Sequence, residues 1–195
     1  ATGTFLNPEL YTNPTVEGRN AALQSRSGIY AGGTWFDFDQ ARVTEDITHS
    51  FYRGTGSRHP WDGVTDPIDP ADGASQGKYT WAKAPRYEVP DLGFVPLEVG
   101  PLARQMIAAR PDAADFQDSD QLIKNVVDQL GPNVLTRVLA RVHEAPKYFK
   151  YVMTWLNELD LHEDFYAKPA EPESGKGFGS TEAARGALSD WIVLE

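Results

Sequence analysis

The sequence predicts an α+β fold in which helices predominate. Three observations carry that expectation: long helical apolar spacing between residues 119 and 166, an aromatic hairpin pattern near residue 30, and a β-type apolar run at 191–195. They divide a single region into a loop-rich part with short strands (1–118), a helical part (119–166), and a glycine-rich loop with a strand (167–195).

Helical periodicity is scarce in the first 80 residues, and chain breakers are frequent. In GIYAGGTWFDF (28–38), Ile29, Tyr30, Trp35, Phe36 and Phe38 flank a Gly-Gly pair, the pattern of two short strands in a hairpin. Residues 44–52 are expected to form one or two helical turns capped by Thr44. HPWDGVTDPIDPADG (59–73) reads as a loop ordered by burial of Trp61. KYTWAKAPRY (78–87) alternates aromatic and basic residues, and VPLEVGPLARQMIAA (95–109) runs into a helix around Pro101.

Residues 119–130, SDQLIKNVVDQL, place Leu122, Val126 and Leu130 on one stripe behind a Ser119 or Asp120 cap. Beyond the Gly131-Pro132-Asn133 break, Val134, Val138 and Val142, flanked by Leu135 and Leu139, form a second stripe, which Phe149, Met153, Leu156 and Leu159 continue. Pro146 interrupts it and is expected either to kink one long helix or to separate two. AKPAEPESGKGFGS (167–180) is read as a Pro/Gly-rich connector, and WIVLE as a strand. Because IVLE stops without a turn, the chain is expected to be a piece of a longer polypeptide.

Composition narrows function. With 195 residues, 41% of them hydrophobic, the chain can bury a core, and its net charge of −10 argues against a nucleic-acid partner. No apolar run approaches the roughly 18 residues that cross a bilayer, and residues 1–20 lack a signal-peptide pattern. The expectation is a soluble chain, cytoplasmic or membrane-associated through partners. It contains no cysteine, so thiolate nucleophiles and thiolate-bound metals are excluded within it.

Among candidate sites, GKGFGST (175–181) has its lysine inside the glycines, where a phosphate loop needs Gly-Lys-Ser/Thr after a four-residue gap. A plain surface loop before a strand is the simpler reading. Arg185 stands between small residues, Ala183, Ala184, Gly186 and Ala187, which leave space beside the backbone. An arginine so placed projects into a site as a fixed cation with five donors, or else pairs with Glu182 or Asp190. His143 and His162 lack the second histidine of a helix zinc site, while His49 and His59 sit in separate loops. Lys83, Arg86, Tyr87 and Arg104 make either a positive patch or a set of structural pairs.

Four stretches together resemble the large subunit of nickel-iron hydrogenases: THSFYRGTGSRHPWDGVTDP, KYTWAKAPRY, LEVGPLAR and GFGSTEAARGALSDWIVLE, in the family's order and approximate spacing. LARVHE (139–144) and the helix after it also fit. The likeness covers about residues 45–195 and is to an internal-to-C-terminal portion of the subunit that lacks both CxxC metal-binding motifs. It implies part of the large-subunit fold, with short strands and long irregular loops.

The resemblance implies heterolytic cleavage of dihydrogen at a nickel-iron centre carrying carbon monoxide and cyanide, held by four cysteines of the intact subunit. None of those thiolates comes from this chain, which implies either a fragment of the subunit or a split subunit whose companions bring the cysteines. It also implies two kinds of partner: the remaining parts of the large subunit, and a small subunit whose iron-sulfur clusters take the electrons. In the family's Glu-Ala-Pro-Arg-Gly block the arginine faces the open side of the metals, and its position here is Arg185, with Glu182, Ala184 and Gly186 shaping its surroundings. Ala184 replaces the usual proline, and Ser189-Asp190 replaces the usual Gly-His before Trp191, departures that imply a divergent branch. The alternatives are a structural or hydrogen-sensing relative that does not hold the metal, and a nucleotide-binding module built on the glycine loop.

Overall fold

The computed structural model describes residues 27–63, 65–113, 120–162 and 173–195. The candidate cap Ser119 and residues 167–172 of the expected connector lie outside the described residues. Two compact units are present. The first comprises the residues up to 38, 99–173 and 178–190; the second comprises 39–98, 174–177 and 191–195. Among the described residues, three α-helices stand beside eight strands. The expected predominance of helix is therefore corrected: an α+β chain remains, with the expected 29–36 hairpin joined by a four-stranded sheet and a second hairpin that sequence periodicity did not anticipate.

In the first unit, β1 (Ile29–Ala31) and β2 (Thr34–Phe36) form the expected hairpin, with Ile29 opposite Phe36. The Gly32-Gly33 turn has φ of 58° and 82°, the doubly left-handed geometry that a two-residue hairpin turn demands. Helix α1 (Pro101–Ala108) begins with proline at its first turn, where the missing N–H costs nothing. Seven of its eight residues are buried, and its C-terminal end is held from outside. The Trp35 indole donates to the Met106 carbonyl at 2.8 Å, the Gln121 amide to that of Ala109 at 2.7 Å, and the Asp120 N–H to that of Ala108 at 3.3 Å.

Helices α2 (Leu122–Leu130) and α3 (Val134–Glu158) pack against α1, and Leu102, Met106, Ile123 and Ala140 form the core with Tyr30 and Val127 against it. Asn133 and Thr136 close a reciprocal capping box at the start of α3. Pro146 lies inside α3 and does not divide it. The helices are where periodicity placed them, but turned: Leu122, Leu130, Val134, Val138, Val142, Phe149, Met153 and Leu156 are exposed, while Ile123, Thr136, Ala140, Glu144 and Tyr151 are buried. The face of α3 that packs on α1 thus carries a polar group at its centre. Asp120, the other candidate cap, accepts from the Leu122 N–H at 2.7 Å, although Gln121 takes the N-cap position itself.

The second unit is built on an antiparallel sheet in the order β4-β3-β5-β6, with β3 Val43–Asp46, β4 Ser57–Arg58, β5 Ala84–Val89 and β6 Gly93–Val95. Residues 43–46 are therefore strand, correcting the expected helical turns from Thr44: pairing of Val43 with Tyr87 and of Thr44 with Arg86 overrides the local cap signal. Tyr87 and Val89 are the buried residues of β5, and the Tyr87 hydroxyl accepts from the Asp39 N–H at 3.0 Å. Trp61 sits in a single 3-10 turn whose amide is capped by His59. Within this unit the Trp191 indole donates to the Gln40 side chain at 3.0 Å.

The chain ends in a two-stranded hairpin, β7 (Gly175–Ala183) and β8 (Gly186–Leu194). Gly175, Gly177 and Gly179 are thus strand residues, and the expected surface loop is corrected. Pairing with β8 outweighs the low strand propensity of glycine. Among the described residues no helix is long and apolar enough to cross a membrane.

Candidate functional site

Strand periodicity delivers the first component. Along β7, half-buried Phe178, Ser180 and Glu182 alternate with exposed Gly179, Thr181 and Ala183, and Ser180 meets Ser189 of β8 at 2.8 Å between hydroxyls. The second component comes from α1, where Arg104 follows Leu102 and precedes Met106 on a helix that is buried almost all round. The third is Glu144, one turn after Ala140 and two after Thr136 on the buried face of α3.

These three meet at the Arg104 guanidinium, and each of its five N–H donors has an acceptor. Nε donates to Glu144 Oε1 at 2.7 Å and Nη2 to Glu144 Oε2 at 2.8 Å, the bidentate arrangement that a planar fork and a carboxylate make together. Nη1 donates to Glu182 Oε2 at 2.7 Å and to the Ala183 carbonyl at 3.0 Å. The second Nη2 donor reaches the Ala184 carbonyl at 3.2 Å. The side chains of Arg104, Glu144 and Glu182 are 4%, 6% and 1% exposed, so water contributes little. Burial alone would lower the Arg104 pKa, but the hydrogen bonds from Glu144 and Glu182 outweigh it and hold the guanidinium more firmly charged than usual.

A polar chain continues beyond the cluster. Gln105 donates to Glu144 Oε1 at 3.2 Å and accepts from Lys147 at 3.1 Å; Lys147 lies 3.7 Å from Asp120, which also bonds His143 at 2.5 Å. Burial would raise the Asp120 carboxyl, yet the Leu122 N–H, His143 and Lys147 together hold it below the ordinary carboxylate range.

The same two segments also interlock through glycine. Gly100, with φ 111° and ψ −162°, occupies a backbone region nearly confined to glycine, and a Cβ there would lie 2.6 Å from the Arg185 carbonyl oxygen. A Cβ on Gly186 would overlap the Val99 side chain. Residues 99–104 therefore hold residues 182–186 through Val99, Gly100 and Arg104. Arg185 itself is exposed in the turn between β7 and β8, and its guanidinium makes no ion pair among the described residues. Glu182 is taken by Arg104, so the alternative pairing of Arg185 with Glu182 is not made. Ala184 contributes its carbonyl, and Gly186 its open Cα, to the grip.

Of the basic-aromatic candidates, Lys83, Arg86 and Tyr87 lie in or beside β5. Lys83 pairs with Glu45 at 3.1 Å, Arg86 donates to the adjacent Pro85 carbonyl at 2.8 Å, and Tyr87 is buried. Lys83 and Glu45 line a shallow pocket of about 90 Å³ with Arg53 and Arg58. Sequence reasoning missed Glu144 and gave Arg104 no chemistry. The signal was present in the four-residue spacing of Thr136, Ala140 and Glu144, a small-and-polar stripe offset from the apolar one.

The nickel-dependent hydrogenase family matches residues 5–195. The chain belongs to that family. It is 35% identical over 183 aligned residues to the Hydrogenase-1 large chain of Escherichia coli K12, covering 80% of this chain and 30% of that one. It is 32% identical over 181 residues to the uptake hydrogenase large subunit of Bradyrhizobium diazoefficiens, covering 78% and 30%. Among solved structures, the [NiFeSe]-hydrogenase of Dm. baculatum superposes with a TM-score of 0.71 at 26% identity, over 100% of this chain and 38% of that one. The chain therefore spans about a third of the length of the relatives it matches.

Against that family the donor set of this chain is telling. It has no cysteine, and among the described residues no three His, Asp or Glu side chains gather in a way that would hold a metal ion. Its own residues do not fit a nickel-iron centre. What this hydrogenase-family chain does build is a buried charged cluster beneath an exposed arginine.

Proposed function

We propose that this chain forms part of the catalytic large subunit of a nickel-iron hydrogenase, which oxidises dihydrogen or cleaves it reversibly and heterolytically into a proton and a hydride. In this reading the cysteines that hold the metals, with their carbon monoxide and cyanide, lie in other segments of the subunit. Electrons leave through the iron-sulfur clusters of a small subunit. The observation that carries the reading is the family match over residues 5–195, which takes in the turn presenting Arg185.

Arg185 is the residue of this chain proposed to act in the reaction. An arginine side chain is a fixed cation with directed donors, and held where charge develops it stabilises charge separation without reorganising. Glu182, Ala184 and Gly186 act through backbone placement: Glu182 and the Ala184 carbonyl bind Arg104, and Gly186 leaves room for Val99. The absence of cysteine favours, as the second reading, a structural or hydrogen-sensing relative that holds no metal itself.

Nickel and iron analysis of the whole purified complex, paired with hydrogen-dependent dye reduction, separates the two. The enzyme reading expects stoichiometric nickel and turnover with dihydrogen. A complex that is intact and free of nickel would refute it and leave the second reading standing.

A further inference from the structure

We infer that Arg104 is a positioning residue: it sets the backbone of the Ala183–Arg185 turn and so fixes where the Arg185 guanidinium is presented. The inference rests on the reading of Arg185 given above. Its evidence is the distribution of the Arg104 donors. Two go to Glu144 on α3, one to the Glu182 carboxylate, and two to consecutive backbone carbonyls, those of Ala183 and Ala184, immediately before Arg185. A guanidinium this buried must place all five donors, and two of them fall on successive peptide oxygens, which ties its position to that of the turn backbone.

The next peptide oxygen is held as well. The Arg185 carbonyl rests against the bare Cα of Gly100, four residues before Arg104 on the same chain segment. The three peptide oxygens of residues 183–185 are therefore all seated on residues 100–104. α1 is itself tied to its neighbours: Glu144 on the 25-residue α3 binds Arg104, and Trp35 and Gln121 bond the carbonyls of Met106 and of the C-cap Ala109. Glu144 thereby connects a long helix to the orientation of an exposed side chain that it does not touch. Lysine could not replace Arg104 in this role. It keeps the charge, but its three donors at one point cannot serve a bidentate carboxylate, a second carboxylate and two carbonyls together.

The test uses the intact metal-loaded complex carrying Arg104→Lys, Arg185→Lys or both, with Glu182→Gln as a second, milder perturbation should Arg104→Lys fail to assemble. Hydrogen exchange followed by mass spectrometry reads the turn directly. Exchange over 183–187 should rise about tenfold or more in either clamp variant, well beyond any change across the 134–158 helix, with nickel content unchanged. Hydrogen turnover should fall in Arg104→Lys, and the same substitution should have little further effect in the Arg185→Lys background, because both act through one group. Unchanged exchange over 183–187 in the assembled variants would overturn the inference, as would loosening shared equally by 134–158, which marks a general structural role. Full turnover in Arg185→Lys would refute instead the catalytic reading of Arg185, while the exchange result still decides whether Arg104 holds the turn.

Discussion

Replacing Glu144 with Ala tests the energetics of the buried cluster. The change deletes two charge-assisted bonds to Arg104, at 2.7 and 2.8 Å, and the 3.2 Å bond from Gln105, leaving an arginine side chain 4% exposed with Glu182 as its remaining carboxylate. Removing one partner of a buried pair costs about 3–5 kcal/mol, chiefly because the surviving charge stays desolvated. Since Glu182 still compensates part of the charge, the lower end, about 3 kcal/mol, is expected. The comparison is Asp66→Ala, which breaks a 3.1 Å pair with Arg53 whose side chains are 52% and 60% exposed. A pair that open contributes below about 1 kcal/mol, because water solvates both charges in either state. Denaturant unfolding of the intact subunit, followed by tryptophan fluorescence at fixed salt, measures both variants. Equal losses of stability would refute the argument that burial, not the count of ion pairs, decides their weight.

Three further outcomes follow from the fold. Gly100→Ala should destabilise by about 3 kcal/mol, from a backbone conformation costly for alanine and a Cβ 2.6 Å from the Arg185 carbonyl, read as a lowered melting temperature of the subunit. The Asp120 carboxyl is depressed in the folded state, so it binds fewer protons folded than unfolded. Its stabilisation is present above about pH 4 and is lost as pH falls through the folded value; Asp120→Asn should flatten the acid limb of an unfolding titration followed by circular dichroism. Pro146→Ala should stabilise α3 by about 1–3 kcal/mol, since proline inside a helix removes one backbone hydrogen bond, and slower hydrogen exchange across 142–150 would register it.

Local geometry explains which parts of the fold were legible. The 29–36 hairpin follows from Gly32-Gly33, whose dihedrals only a few residue types accept, and α1 follows from Pro101 at a helix start. Where partners far along the chain decide, local signals fail. Val43–Asp46 looks like a capped turn and is a strand because residues 84–87 pair with it; Gly175–Ala183 looks like a loop and is a strand because β8 lies beside it. Apolar spacing located α2 and α3 but not their buried faces, since the inward stripe of α3 is Thr136, Ala140, Glu144 and Tyr151.

The site was half legible for a related reason. Family likeness drew attention to Arg185, which is exposed, and to Glu182, which is buried and taken by another arginine. Arg104 stood in a quoted motif without a role, because its partners lie 40 and 78 residues away and no spacing rule joins them. A buried ion cluster is a tertiary object, visible only when three elements have been placed.

Hydrogen turnover by the assembled, metal-loaded complex carrying Arg185→Lys tests the central claim most directly. If Arg185 supplies fixed charge and directed donors where dihydrogen is split, turnover should fall by about 100-fold or more with nickel content unchanged. Turnover within a factor of about two of the parent, at equal nickel, would contradict the account, since differences that small lie below one kcal/mol of transition-state stabilisation.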